Sequence, residues 1–120
     1  MIGMDAHPRI LLVEDDPRVG AILAEELEAA EFVVDGPYRT LSDGMAALAE
    51  HFPDAAVLDI RLDDHDIFML ADDLEQYAIP FVLCSGLPPQ GRVGLRFGHH
   101  PFVRKDAVAG LVPALDALLH

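Results

Sequence analysis

The chain has 120 residues, 52% of them apolar, which is enough for one domain with a real core and too ordered a composition for a disordered chain. Its 21 acidic and 8 basic residues give a formal net charge of -13, a surface that repels phosphate backbones and argues against direct nucleic-acid binding. No apolar run is long enough to span a bilayer, the first seven residues lack the basic and apolar regions of a secretory signal, and a lone Cys84 excludes a disulfide framework. These features lead to the expectation of a cytoplasmic protein with a flexible segment over 1–7 and a single domain over 8–120.

Arg9 to Val13 opens the chain with an apolar strand that runs into Glu14-Asp15-Asp16. Asp16 before Pro17 reads as a helix cap followed by a first-turn proline, and Val19, Ile22, Leu23 and Leu27 mark the inner face of a helix to about Ala30. Phe32-Val33-Val34 reads as a short strand closed by Gly36-Pro37. Thr40 with Asp43 resembles a capping box, starting a helix that turns Leu41, Met45, Leu48 and Phe52 inward and stops at Pro53.

Ala55-Ala56-Val57-Leu58 then runs without a break into Asp59, as a strand buried on both faces would, and Asp63, Asp64 and Asp66 follow. Asp66 is placed to cap a third helix with Phe68, Leu70, Ala71, Leu74 and Tyr77 on its inner face. Ile79 to Cys84 predicts a fourth strand with Ser85-Gly86 at its exit, and the glycines and prolines of 87–100 predict a short or frayed helix at best. Phe102-Val103-Arg104 is a last strand, followed by Lys105, the only lysine, and Asp106. Val108, Leu111, Leu115, Leu118 and Leu119 form the face of a closing helix that must either kink at Pro113 or take it into its first turn.

Strands alternating with helices five times predict a flavodoxin-like (βα)5 fold, three layers deep around a five-stranded parallel sheet of order 2-1-3-4-5. That order brings Glu14, Asp15 and Asp59 together at the carboxyl edge. Converging carboxylates repel one another unless a cation joins them, and a hard divalent ion such as Mg²⁺ prefers such oxygen ligands. Ser85 adds a hydroxyl and Lys105 a point charge suited to a phosphoryl group, which together read as a phosphoryl-transfer site with a carboxylate acceptor. Singly, each has a plainer reading: Asp59, Asp15 and Asp16 as turn or helix-start residues, Ser85 as a turn former, Lys105 as a surface charge. The six histidines show no zinc-motif spacing and read as surface residues.

Four stretches taken in order, Ile-Leu-Leu-Val-Glu-Asp-Asp-Pro at 10–17, Pro-Asp-Ala-Ala-Val-Leu-Asp at 53–59, Ser85-Gly86 and Phe-Val-Arg-Lys at 102–105, resemble the receiver domain of bacterial response regulators from Arg9 to Leu119. The resemblance implies Asp59 as phosphoacceptor, Glu14, Asp15 and Asp59 as Mg²⁺ ligands with the backbone carbonyl of Arg61, and Ser85, Gly86, Lys105 and Phe102 as phosphate-binding and switch residues. It also implies a histidine kinase or phosphotransfer protein as donor, and protein–protein contact, a phosphate shuttle or a sink as output, by a monomer or weak homodimer. In the family, the positions of Arg61 and Leu87 tune hydrolysis of the phosphoryl group.

The chain departs from the family at Asp63-Asp64-His65-Asp66-Ile67, which lacks the usual Pro and Gly, and at Asp106, where proline usually follows the lysine and a trans bond is now expected. The wording of 66–74 and 79–86 resembles a stand-alone alphaproteobacterial subgroup with an irregular loop after the fourth strand. Two alternatives remain at this point: a degenerate receiver that binds partners without phosphorylation, and, more remotely, a phosphohydrolase with an Asp nucleophile. Such hydrolases carry a second Asp two positions on, where this chain has Arg61. A flavin-binding module fits less well, because no Ser/Thr/Gly-rich loop follows the first strand.

Overall fold

A computed structural model describes residues 7–60, 67–86 and 88–119. Five parallel strands, β1 (Arg9–Val13), β2 (Val33–Tyr38), β3 (Ala55–Asp59), β4 (Phe81–Ser85) and β5 (Phe102–Arg104), form one sheet of order β2-β1-β3-β4-β5. Helices α1 (Pro17–Ala29), α2 (Leu41–Glu50), α3 (Phe68–Gln76), α4 (Gly91–Phe97) and α5 (Leu111–Leu119) alternate with them, giving the expected flavodoxin-like fold. Among the described residues no helix is long and apolar enough to cross a membrane.

Because side chains alternate along a strand, each central strand feeds two cores. Leu11, Val13, Ala56, Leu58, Phe81 and Leu83 face one layer with Leu41, Leu48, Leu70, Leu74 and Phe97. Ile10, Leu12, Ala55, Val57, Val82 and Cys84 face the other with Leu23, Leu27, Leu111 and Leu115. Each fully buried aliphatic side chain contributes about 1.5–3 kcal/mol, so these unbroken apolar runs fix both the sheet and its register. Helix α2 comes close enough to β1 that a Cβ at Gly44 would lie 2.9 Å from Val13 Cγ2, and a larger residue there would separate the two layers.

Local signals account for most boundaries. Asp16 caps α1, its Oδ1 accepting from the N–H groups of Arg18 (2.9 Å) and Val19 (3.5 Å). Thr40 caps α2, its Oγ1 accepting from the Asp43 N–H at 3.1 Å. Pro113 lies in the first turn of α5, where its missing N–H is harmless, and a short 3-10 turn, Val108–Gly110, leads into that helix. The expected cap Asp66 and Leu87 lie outside the described residues.

Four expectations are corrected. Ile22 does not share the inner face of α1 with Leu23 and Leu27 but is 53% exposed. Strand β2 does not close at Gly36-Pro37 but continues through it to Tyr38, with a register shift against β1 between Leu11 and Val13. Proline is tolerated because β2 is an edge strand, and Gly36 is required by its φ of 126° and by Leu12 O, 2.4 Å from where a Cβ would stand. Phe52 and Tyr77 do not point into the core. Each lies just past the end of its helix, 59% and 50% exposed, and their rings pair on the surface 4.7 Å apart. His100 is not a simple surface residue, since its ring stacks on Phe81 at 3.9 Å.

Candidate functional site: an acid pocket at the carboxyl edge

Parallel strands all present their carboxyl ends on one edge, and the expected site residues gather there. Asp59 and Ser85 are the last residues of β3 and β4, Glu14 and Asp15 follow β1, and Lys105 follows β5. Glu14, Asp59 and Ser85 are almost fully buried, at 1%, 1% and 2% exposure. Carboxylate oxygens of Glu14, Asp15 and Asp59 lie within 4.8 Å of one another.

The backbone holds each group in place. The Glu14 N–H donates to Tyr38 O at 2.8 Å, so the continuation of β2 past Pro37 anchors the start of the acidic turn. The Asp16 N–H donates to Glu14 Oε2 at 3.1 Å, folding the turn back on itself. On the opposite side the Lys105 N–H donates to Ser85 O at 2.9 Å, which ties the two strand exits together. Arg104 donates from Nε and Nη2 to both carboxylate oxygens of Asp106 at 3.0 Å, a fork that closes over the turn carrying Lys105. The Lys105–Asp106 peptide bond is trans, the one cis bond among the described residues being Gly36–Pro37. Lys105 reaches the pocket without the proline.

Lys105 Nζ donates to Glu14 Oε2 at 2.9 Å and stands 3.3 Å from Asp59 Oδ2. One ammonium therefore serves two of the three carboxylates directly. Burial pushes the Glu14 carboxyl up to about 7, opposed by the Lys105 and Asp16 hydrogen bonds and reinforced by the nearby Asp59 charge. Asp15 is also raised, first by its proximity to Asp59 and then by burial. For Lys105, burial favours the neutral amine, but its contacts with Glu14 and Asp59 prevail and raise it above its usual value. Cys84, one residue before Ser85, has its thiol pushed up to about 12 by burial, which leaves it a core residue and no nucleophile.

The donor set fits a hard divalent ion. All three groups are carboxylates, and Glu14 Oε1 is buried with no hydrogen-bond donor among the described residues. Gly86 is exposed, with no described residue within 4 Å of a would-be Cβ, so its backbone is open to an approaching group among the described residues. Phe102 is half-buried and packs on the core layer of Leu83 and Phe97. Arg61, expected to lend its carbonyl, lies outside the described residues, as do Asp63, Asp64 and His65. Sequence reasoning missed the support given by Tyr38 O and by the Arg104–Asp106 fork. The i, i+2 spacing of Arg104 and Asp106 was the available signal for the fork.

No family model matches the chain. It is 31% identical over 128 residues to the transcriptional regulatory protein RprY of Bacteroides fragilis, covering 99% of this chain and 52% of that protein, so it spans about half the length of that relative. It is similar to SdrG from Pseudomonas melonis Fr1, solved in a BeF3-activated conformation, at 32% identity and TM-score 0.74 over 93% of this chain and 98% of that one. A protein described as a response regulator from Chloroflexus aurantiacus J-10-fl matches at TM-score 0.83 over 95% of this chain and 98% of its own, and at 20% identity it speaks for the fold alone.

Proposed function

The chain belongs to the receiver-domain family of response regulators, and we propose that it accepts a phosphoryl group on Asp59 from a phosphohistidine of a kinase or phosphotransfer protein. The observation that carries this reading is the pocket in which Glu14, Asp15 and Asp59 converge while Lys105 Nζ stands 3.3 Å from Asp59 Oδ2.

In the transfer a carboxylate oxygen of Asp59 attacks phosphorus. The new P–O bond forms as the P–N bond to the donor imidazole breaks, and the nitrogen leaves with the electron pair. Mg²⁺ held by Glu14, Asp15 and Asp59 would neutralise charge on the transferring group when bound. Burial of Asp59 keeps bulk water from the acyl phosphate. The Lys105 ammonium, already within reach of Asp59, is the group to pair with a phosphoryl oxygen. The Ser85 hydroxyl lies one strand away, and because Ser85 O accepts from Lys105 N–H, a shift of either strand exit moves both. Phe102 on β5 then passes the change to the surface, a two-state device. Water attack on the acyl phosphate releases inorganic phosphate and restores the carboxylate. The output is a contact with another protein, or phosphate storage and relay, and the chain turns over no small-molecule substrate of its own. The acidic composition accords with a protein partner rather than nucleic acid, and the lone Cys84 with a reducing, cytoplasmic setting.

Titration with Mg²⁺ and then beryllofluoride, followed by amide NMR, tests the reading, and SdrG's BeF3-activated form makes that mimic the natural probe. Shifts at Glu14, Asp15 and Asp59 with the metal, then at Ser85 and Phe102 with the mimic, are expected. Loss of hydroxylamine-labile phosphate in Asp59→Ala completes the assignment. If that variant still accepts phosphate, the acceptor lies elsewhere. A receiver that works without phosphorylation is favoured by the altered sequence at 63–67, and a pocket silent to both reagents would establish it.

A further inference from the structure

A second group of candidate ligands stands at the other end of the sheet and takes no part in the acid pocket. Glu75 lies in the last turn of α3, and His99 and His100 lie between α4 and β5. The His100 ring stacks on Phe81, the first residue of β4, which puts the group at the amino edge of the sheet. His100 Nε2 is 2.7 Å from Glu75 Oε2, and His99 Nε2 is 3.9 Å from the same oxygen. One ligand atom from each residue lies within 4.8 Å of the others. Since 25 residues separate Glu75 from His100, no spacing motif in the sequence contains this set.

We propose that Glu75, His99 and His100 form a binding site for a divalent ion of the zinc class. Two imidazoles and one carboxylate are the borderline donors that favour Zn²⁺, Co²⁺ or Ni²⁺ over Mg²⁺, and three protein ligands leave a position for water.

Two of the three ligands are oriented before any ion arrives. The His100 ring stacks on Phe81 at 3.9 Å and 21°, with Phe97 6.2 Å away, so packing fixes its plane. Glu75 is held by Arg96, whose Nη2 bonds Oε1 at 2.7 Å and leaves Oε2 toward the imidazoles. Arg96 and then His100 keep the Glu75 carboxyl below the usual carboxylate range. Arg96 also bonds Asp72 at 3.0 Å, so two carboxylates face one guanidinium, and with neutral imidazoles the group carries a charge of -1 that attracts a cation.

His99 is the adjustable ligand, 67% exposed and tilted against the His100 ring at 4.3 Å. Metal–ligand bonds of about 2.0–2.2 Å put tetrahedral ligands roughly 3.4 Å apart, so His99 must close by about half an ångström and His100 must move back by slightly more. The ion takes the place of the proton shared between His100 and Glu75. Bound there, it ties the end of α3 to the turn that leads into β5 at Phe102.

The test is titration of the intact chain with ZnCl₂ in excess MgCl₂, so that hard-oxygen sites are already filled, with NMR of the histidine rings and of the Glu75 amide. One saturable equivalent should shift His99, His100 and Glu75 together. Co²⁺ in place of Zn²⁺ should give tetrahedral visible absorption. His99→Ala, at an exposed position, and Glu75→Gln, which keeps the shape of the side chain, should each weaken binding by about tenfold or more. Binding that is absent, that shifts His7 or His51 instead, or that survives both substitutions overturns the proposal. The wild-type ring shifts decide the matter even if a variant loses its fold.

Discussion

At the carboxyl edge Glu14 and Asp59 share one ammonium in a buried setting beside Asp15, whereas at the amino edge Glu75 and Asp72 share Arg96 in a half-open one and Glu75 leans on two imidazoles. Burial first and then the neighbouring Asp59 raise Glu14, and Asp59 raises Asp15, while Arg96 and His100 lower Glu75. The first arrangement opposes folding and the second supports it. Strain of that electrostatic kind survives in a fold where a ligand relieves it, which is why perturbed groups mark sites more reliably than paired ones.

Asp59→Asn should separate the two edges most clearly. It should abolish phosphate incorporation entirely, and yet raise unfolding stability by about 1 kcal/mol by removing one of the mutually repelling carboxylates. A destabilised variant in urea melts would mean that the pocket is not under repulsion. Lys105→Met should do the reverse. With Glu14 and Asp59 deprived of their ammonium, stability should fall by roughly 2 kcal/mol at pH 8, and much less at pH 5, where Glu14 is protonated.

Acidity sharpens the contrast further. A carboxyl at about 7 when folded and 4.5 when unfolded binds more protons in the native state. Its contribution is full below pH 4.5 and is lost as pH rises through 7. Without metal, the Glu14 contribution should therefore decline from pH 5 to 8, while the stabilisation gained on adding Mg²⁺ should grow across the same range, read by thermal melts at each pH. Glu75 has the opposite sign, its contribution fading as pH falls through its lowered folded value. The smallest effect is expected from Phe52→Ser, about 0.5–1 kcal/mol, because the ring is 59% exposed and pairs with Tyr77 on the surface. A loss above about 2 kcal/mol would put Phe52 back in the core.

Legibility followed the same division. The strands running into Glu14 and Asp59 could be read because an apolar run closed by a carboxylate is a local pattern, and the sheet order then assembles the pocket. Strand β2 was cut short because Gly36-Pro37 looks like a terminator, and only its place at the sheet edge makes the pair acceptable. Phe52 and Tyr77 matched the helical period of their neighbours, but the helices stop before them, and period alone does not see that end. His100 was beyond reach, since its place depends on Phe81 and Glu75, contacts that exist only across the fold.

The Glu14–Lys105 bond joins residues 91 positions apart. The pocket draws on the ends of four strands, so no fragment that lacks the last strand contains it. During synthesis it comes into being only after residue 105 has docked, among the later contacts to form in a chain whose pairing is this non-local. Opening of β5 alone would erase it. The proposed capacity to take up phosphate is thus a clock and a census at once: it starts when the last strand docks, and at any moment it counts the molecules in which that strand is in place.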